Sequence, residues 1–333
     1  MTKVAVFGAG SWGTAFSLVL ADAGNHVTLW ARRQELSDAI NSRHENGEYL
    51  PGTPLAATID ATHDPKHALD GASVVVLAVP SQSLRSNLEH WADDIPDEAL
   101  VMSLMKGVEV GTAKRMSEVV EEVGHVGRDR IAVLSGPNLS KEVAERQPAA
   151  SVIASAREDV ALRLQRLCHT SAFRPYTMTD VVGCELGGAT KNVIALAVGM
   201  AVGLGFGDNA TATVITRGLA ETARLGAALG ADPYTFSGLA GLGDLVATCS
   251  SRLSRNRRFG ELLGRGKSVE EIVAATRQVA EGVKSCESIR DLGERNGVDM
   301  PIVEHVAALI RGEMKPREML ARLISRAPKA ERD

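Results

Sequence analysis

The sequence predicts an α/β architecture: a doubly wound, mainly parallel sheet over 1–181, joined to an all-helical region over 182–333. Three observations carry that reading. A short β-rich run at the N-terminus breaks into a glycine-rich turn and then a helix-like stretch. Further apolar runs alternate with amphipathic ones as far as about Asp180. Beyond it, helical patterning continues with no convincing strand. Strands alternating with helices imply βαβ units and a parallel sheet covered on both faces.

The first strand is Lys3-Val4-Ala5-Val6-Phe7, apolar enough to be buried on both sides. It runs into Gly8-Ala9-Gly10-Ser11-Trp12-Gly13, with Thr14-Ala15-Phe16 opening a helix. In a G-x-G-x-x-G placed between strand and helix, Gly8 permits the turn and Gly10 lets a pyrophosphate approach the backbone. Gly13 lets the helix pack on the strand. The helix N-terminus then offers unpaired N–H groups and a positive dipole end to phosphates. This placement predicts a Rossmann-type dinucleotide site. The second strand, His26-Val27-Thr28-Leu29-Trp30, ends in Ala31-Arg32-Arg33 with no acid at its tip. An acid there would hold a ribose 2′-hydroxyl; two guanidiniums instead hold a 2′-phosphate or stack on adenine. NADPH is the expected cofactor, with NADH also accepted. An ordinary basic cap on a strand end is the competing reading.

Further strands are expected at 73–79, 100–104, 130–134 and 150–154, with helices at 112–123 and 157–169 between them. Ala78-Val79-Pro80-Ser81 is a carboxyl strand end, the edge of such sheets that faces a ligand. The domain boundary is expected near 179–183. The clearest helices after it are 184–203, 210–228, 281–296, 302–311 and 316–325, followed by a charged, frayed tail at 328–333.

Composition narrows the function. A chain of 333 residues, 44% hydrophobic and 23% charged, has room for two globular domains. A net charge of −4 argues against nucleic-acid binding. Cys168, Cys184, Cys249 and Cys286 are scattered and read as reduced, buried thiols of a cytoplasmic protein. With a strand beginning by residue 3, no secretory signal is expected. The uncharged run 193–206 falls short of the ~20 residues that cross a bilayer and reads as a buried helix, so no integral membrane segment is expected.

The second half must name the chemistry. In Glu185-Leu186-Gly187-Gly188-Ala189-Thr190-Lys191-Asn192, helical spacing puts Gly187, Gly188 and Ala195 on the side of Lys191. These small residues are expected to leave space for a ligand above the ammonium. Burial or a second cation would lower the lysine pKa and fit it for acid/base work. Lys106, after strand 100–104, is a candidate for that second cation. Asp244, within Gly241-Leu242-Gly243-Asp244-Leu245, either caps a helix or orients a lysine. Ser250-Ser251-Arg252-Leu253-Ser254-Arg255-Asn256-Arg257-Arg258 supplies the donors a phosphate monoester needs, although a solvated basic face would look similar. RNA is disfavoured because no aromatic residues interleave with the basic ones. Ser135-Gly136-Pro137-Asn138 forces a turn toward the same edge. His63 and His67 could be argued as a metal pair, but Pro65 breaks the helix that would align them, and no metal is expected.

The chain closely resembles bacterial-type NAD(P)-dependent glycerol-3-phosphate dehydrogenases over essentially its whole length. The glycine-rich turn, Trp30-Ala31-Arg32-Arg33, Ser135-Gly136-Pro137, the Glu185–Asn192 run quoted above, Gly241-Leu242-Gly243-Asp244-Leu245 and Ser254-Arg255-Asn256 carry the resemblance. It implies interconversion of dihydroxyacetone phosphate and sn-glycerol 3-phosphate with NADP or NAD, supplying phospholipid synthesis. It makes Lys191 the proton donor and acceptor. Lys106, Gly136, Asn138, Lys191, Asp244, Ser254, Arg255 and Asn256 would contact substrate. Gly8, Gly10, Ser11, Trp12, Gly13, Arg32, Arg33, Lys106, Ser140, Arg255, Val279 and Glu281 would contact the cofactor. Asn138 stands where the family usually has Ser or Thr. Leu104-Met105 stand where a small residue and Thr are usual. A β-hydroxyacid dehydrogenase would combine similar halves but need a carboxylate site. A non-catalytic NAD(P)H sensor would have no use for Lys191. Dimerisation through faces of the helical half is left open.

Overall fold

The computed structural model describes residues 1–275 and 280–325; the tail expected to fray at 328–333 lies outside them. One sheet has the order β3-β2-β1-β4-β5-β6-β7-β8. Strands β1 (Lys3–Phe7), β2 (His26–Trp30), β3 (Ile59–Thr62), β4 (Val74–Leu77), β5 (Leu100–Ser103) and β6 (Ile131–Ser135) are parallel. β7 (Ala149–Ser155) is antiparallel to β6, and β8 (Phe173–Met178) is parallel to β7. The central strands are almost unbroken runs of buried Val, Ala, Leu and Ile, because helices cover both faces. On one face Phe7 packs on Trp91, with ring centroids 4.3 Å apart. On the other, Phe16 meets Phe173 edge-on at 6.0 Å.

The covering helices are α1 (Ser11–Asp22), α2 (Gln34–Arg43), α3 (Pro65–Leu69), α4 (Leu84–Trp91), α5 (Met116–Gly124), α6 (Ser140–Ala144) and α7 (Glu158–Cys168). β1 lies between β2 and β4, so the chain winds outward in both directions from it. The carboxyl ends on either side of such a reversal form a ligand crevice. Two strands were not expected from sequence. β3 is a short edge strand, and β8 carries Pro175, which only an edge tolerates.

After β8 the described chain is helical: α8 (Val181–Gly203), α9 (Asp208–Ala228), α10 (Asp244–Ser250), α11 (Arg255–Gly264), α12 (Val269–Ala275), α13 (Glu281–Arg295), α14 (Pro301–Ile310) and α15 (Pro316–Ile324). Asp180 caps α8 by accepting the Gly183 N–H at 2.9 Å. α8 is apolar on every side and buried along nearly its whole length, the pattern of a central core helix. By length and composition α8 could cross a membrane, but here its surface is taken up by neighbouring helices. A glycine seam brings α8 and α11 into backbone contact. A Cβ on Gly199 would meet the Arg257 carbonyl at 2.0 Å, and one on Gly260 would meet the Leu196 carbonyl at 2.1 Å. That contact sets the start of α11, with its arginines, beside Asn192.

Candidate active site

The glycine turn closes against β4. Gly8 has φ +121°, and a Cβ there would sit 2.6 Å from the Ala78 carbonyl oxygen. On Gly13 a Cβ would fall 1.9 Å from the Gly8 carbonyl, so the turn and α1 touch backbone to backbone. Gly10 is the opposite case: nothing stands within 4 Å of its would-be Cβ. α1 has no side-chain N-cap, and its first N–H groups have no intrahelical partner. An open cradle with unpaired donors suits a pyrophosphate. Ser11 Oγ donates to the Tyr49 carbonyl at 2.8 Å, while the buried Trp12 Nε1 has no partner. Arg32 and Arg33 are exposed past β2, and Arg33 pairs with Glu48 at 2.5 Å. Ser140 opens α6 and is half-buried. These residues fit a dinucleotide.

At the carboxyl edge of β5 and β6, two lysines share one buried carboxylate. Asp244 is 1% exposed and Lys191 7%. Lys106 Nζ donates to Asp244 Oδ2 at 2.7 Å and to the Gly136 carbonyl at 2.9 Å. Lys191 Nζ donates to Asp244 Oδ1 and, at 2.8 Å, to Thr248 Oγ1. Ser135 Oγ lies 3.5 Å from Asp244 Oδ2. Burial is the largest influence on Lys191 and brings its pKa down to about 8; Asp244 pulls it up and Lys106 pushes it down again. Burial pushes the Asp244 carboxyl upward, but the two ammonium groups outweigh it and hold the pKa below the ordinary aspartate value. Asp244 therefore orients lysines rather than capping a helix: its carboxylate makes no cap bond to α10. The turn before it, Leu239–Gly243, is π-helical, a widened turn often found at functional sites.

One expectation is overturned. The small residues beside Lys191 do not leave room for a ligand; protein fills the space. A Cβ on Gly187 would lie 2.5 Å from the Ala240 carbonyl, and one on Gly188 would lie 2.8 Å from Ser135 Oγ and 3.3 Å from Lys106 Cγ. The glycines let the π-turn and the Lys106 stem approach α8, which is how Asp244 reaches both lysines.

A chain of amides links the halves. Asn192 Nδ2 donates to the Lys106 carbonyl at 3.2 Å, Asn256 Nδ2 to Asn192 Oδ1 at 2.8 Å, and the Gly282 N–H to Asn256 Oδ1 at 2.9 Å. Ser254 caps α11 by accepting the Arg257 N–H at 3.2 Å, so Arg255 is the first residue of that helix. Burial raises the Glu281 carboxyl, while the charges of Arg255, Lys191 and Lys106 and the Ser81 N–H pull it down. Arg255 and both lysines thus act on one carboxylate. Asn138 Oδ1 accepts from Ser151 Oγ at 2.6 Å, and its buried Nδ2 has no partner. Val279 lies outside the described residues. Sequence reasoning missed Thr248, Asn192 and Ser151. Thr248 had a usable signal, standing one helical turn after Asp244. Among the described residues no cluster of His, Cys, Asp and Glu is arranged to hold a metal ion.

Family models for the N-terminus and C-terminus of NAD-dependent glycerol-3-phosphate dehydrogenase match residues 3–161 and 180–321. A glycerol-3-phosphate dehydrogenase [NAD(P)+] of Streptomyces avermitilis is 62% identical over 99% of this chain and 98% of its own. That of Thermobifida fusca is 60% identical over 100% of this chain and 99% of its own. Among solved structures, glycerol-3-phosphate dehydrogenase from Coxiella burnetii superposes with a TM-score of 0.93 at 36% identity, covering 98% of this chain and 99% of that one.

Proposed function

The chain belongs to the NAD-dependent glycerol-3-phosphate dehydrogenase family, and from that premise we propose how its crevice works. It is an oxidoreductase that interconverts dihydroxyacetone phosphate and sn-glycerol 3-phosphate with NAD(P)H. The observation that carries the mechanism is the Asp244 carboxylate shared by Lys106 and Lys191 at the edge of the glycine-turn crevice.

When bound, the reduced nicotinamide supplies the hydride for the ketone carbon. Negative charge grows on the carbonyl oxygen as that carbon is reduced, and the Lys191 ammonium stabilises it and then gives it a proton. A pKa of about 8 lets Lys191 be a donor for reduction and, once neutral, an acceptor for alcohol oxidation. Asp244 and Thr248 fix the direction of the ammonium. Lys106 keeps a second positive charge beside it.

Arg255, with Ser254 and Asn256, is our assignment for the phosphate, so binding energy remote from the reacting carbon aligns it. Gly136 and Asn138 line the substrate side. We assign Gly8, Gly10, Gly13, Ser11, Trp12, Arg32, Arg33, Ser140 and Glu281 to the cofactor side, and Val279 from the family resemblance alone. We divide the chain into a dinucleotide domain, 1–181, and a substrate domain, 182–333. We also assign the enzyme to the cytoplasm, as a source of glycerol 3-phosphate for phospholipid.

The test follows NADPH absorbance with dihydroxyacetone phosphate and with unphosphorylated dihydroxyacetone. The phosphorylated ketone should be reduced with far higher kcat/KM. Equal rates would remove the phosphate clamp from the account, and no turnover of either would remove the reaction. Replacing Arg255 by Ala should mainly raise KM for the phosphorylated ketone.

A further inference from the structure

β2 ends without an acid of its own, yet an acid stands at its tip. Glu48 reaches in from the segment after α2, and its Oε2 lies 2.5 Å from Arg33 Nη2. That segment is pinned on both sides of Glu48. The wholly buried Asn46 gives its Nδ2 protons to the Ala9 carbonyl at 2.9 Å and to Thr14 Oγ1 at 2.8 Å. Ser11 Oγ fastens the Tyr49 carbonyl at 2.8 Å. Glu48 is therefore carried by backbone tied to the glycine turn itself, and its side chain is 39% exposed.

We propose that Glu48 sets the choice between the two dinucleotides, as an internal competitor for the Arg33 fork. This rests on the cofactor side of the crevice being as assigned above. When the adenine ribose carries a 2′-hydroxyl, Glu48 stays on Arg33 and keeps that guanidinium paired. When it carries a 2′-phosphate, the phosphate takes the fork and Glu48 is displaced. An exposed ion pair is weak, and a phosphate with three acceptor oxygens and nearly two charges outcompetes a carboxylate for it. The enzyme thereby accepts both cofactors instead of becoming selective for the phosphorylated one.

The test needs no turnover. Calorimetry measures binding of 2′-phospho-ADP-ribose and of ADP-ribose to the wild type and to Glu48→Gln, Arg33→Gln and the double variant. Glu48→Gln should bind 2′-phospho-ADP-ribose about fivefold more tightly at low salt, the scale of one exposed ion pair, with ADP-ribose unchanged. Raising the salt should shrink the gain, and the Arg33→Gln background should abolish it. An unchanged ratio in Glu48→Gln, or a gain that survives in Arg33→Gln, overturns the proposal. If neither probe binds the wild type, the cofactor site is elsewhere and both readings fall.

Discussion

Two buried carboxylates connect the sheet half to the helical half, and they differ in how many cations each one answers. Glu185, on α8 and 5% exposed, accepts from Arg115 Nη1 at 2.6 Å, from Ser117 Oγ at 2.6 Å and from Ser117 N–H at 2.8 Å. The one guanidinium that meets Glu185 also pairs with Glu118, so no cation is in surplus there, and the carboxylate is fastened to the start of α5. Asp244 is buried as deeply but serves two ammonium groups. The Glu185 carboxylate, with no surplus of cations around it, reads as a strut. A carboxylate outnumbered by cations leaves one proton easier to remove, and Lys191, the more buried of the two lysines, is where it comes off. Burial alone does not separate these two carboxylates; the surplus of cations at Asp244 does.

The largest expected effect removes that labile proton. Lys191→Met should lower kcat for ketone reduction by roughly 10²- to 10⁴-fold, the usual range for losing general acid catalysis. The protein should stay folded, because Asp244 keeps Lys106 as partner. Steady-state kinetics beside a thermal melt decides this, and near-normal turnover would break the contrast between the two carboxylates.

The strut should fail differently. Glu185→Gln leaves the Arg115 guanidinium, 17% exposed, without its buried counter-ion, although Glu118 still pairs with it at 2.9 Å. With that partial compensation the loss should be about 3 kcal/mol, the low end for breaking a buried pair. The denaturant midpoint should fall while kcat of the folded enzyme holds. A drop in kcat with no loss of stability would make Glu185 part of the chemistry.

Gly187→Ala tests how the unbalanced cluster is assembled. Its Cβ would press on the Ala240 carbonyl at 2.5 Å, and relieving that contact should cost about 1–3 kcal/mol, as overpacking does. Because Ala240 lies in the turn that delivers Asp244, kcat should fall along with stability. Unchanged kcat would mean the π-turn does not govern where Asp244 sits.

Legibility from sequence followed the range of the interactions involved. β1, the glycine turn and the first residues of α1 act within a few residues of one another, and their spacing alone gave the cradle. Lys191, Lys106 and Asp244 could each be named as chemically apt, but their sharing of one carboxylate depends on a fold that brings β5, α8 and α10 together. The glycines beside Lys191 were misread for that reason: small residues signal close approach without saying whether ligand or backbone does the approaching. β8 hid behind Pro175. At α11 the basic run reads both as phosphate donors and as a basic face at a helix start, and the helix Arg255–Gly264 does begin within it.

The smallest effect is also the most direct test of charge counting. In the proton-transfer role proposed for it, Lys191 is protonated to reduce the ketone and neutral to oxidise the alcohol. Reduction should therefore fall, and oxidation rise, as pH passes upward through about 8. Lys106 lowers the Lys191 pKa by repulsion, whereas Asp244 raises it. In Lys106→Met the surplus charge is gone and Asp244 faces one cation, as Glu185 does. The pH limb for reduction should then move above 8, whatever the variant loses in absolute rate. Stability carries the opposite sign. The folded Lys191 pKa lies below the ordinary 10.5, so between about 8 and 10.5 the unfolded chain binds more protons at this residue. Its contribution to stability therefore grows with pH across that window and is smallest below it. Raising the Lys191 pKa in Lys106→Met should narrow the window from its lower edge. A limb that stays at about 8 in that variant would mean burial alone depresses Lys191, and that the second ammonium is there to bind rather than to tune.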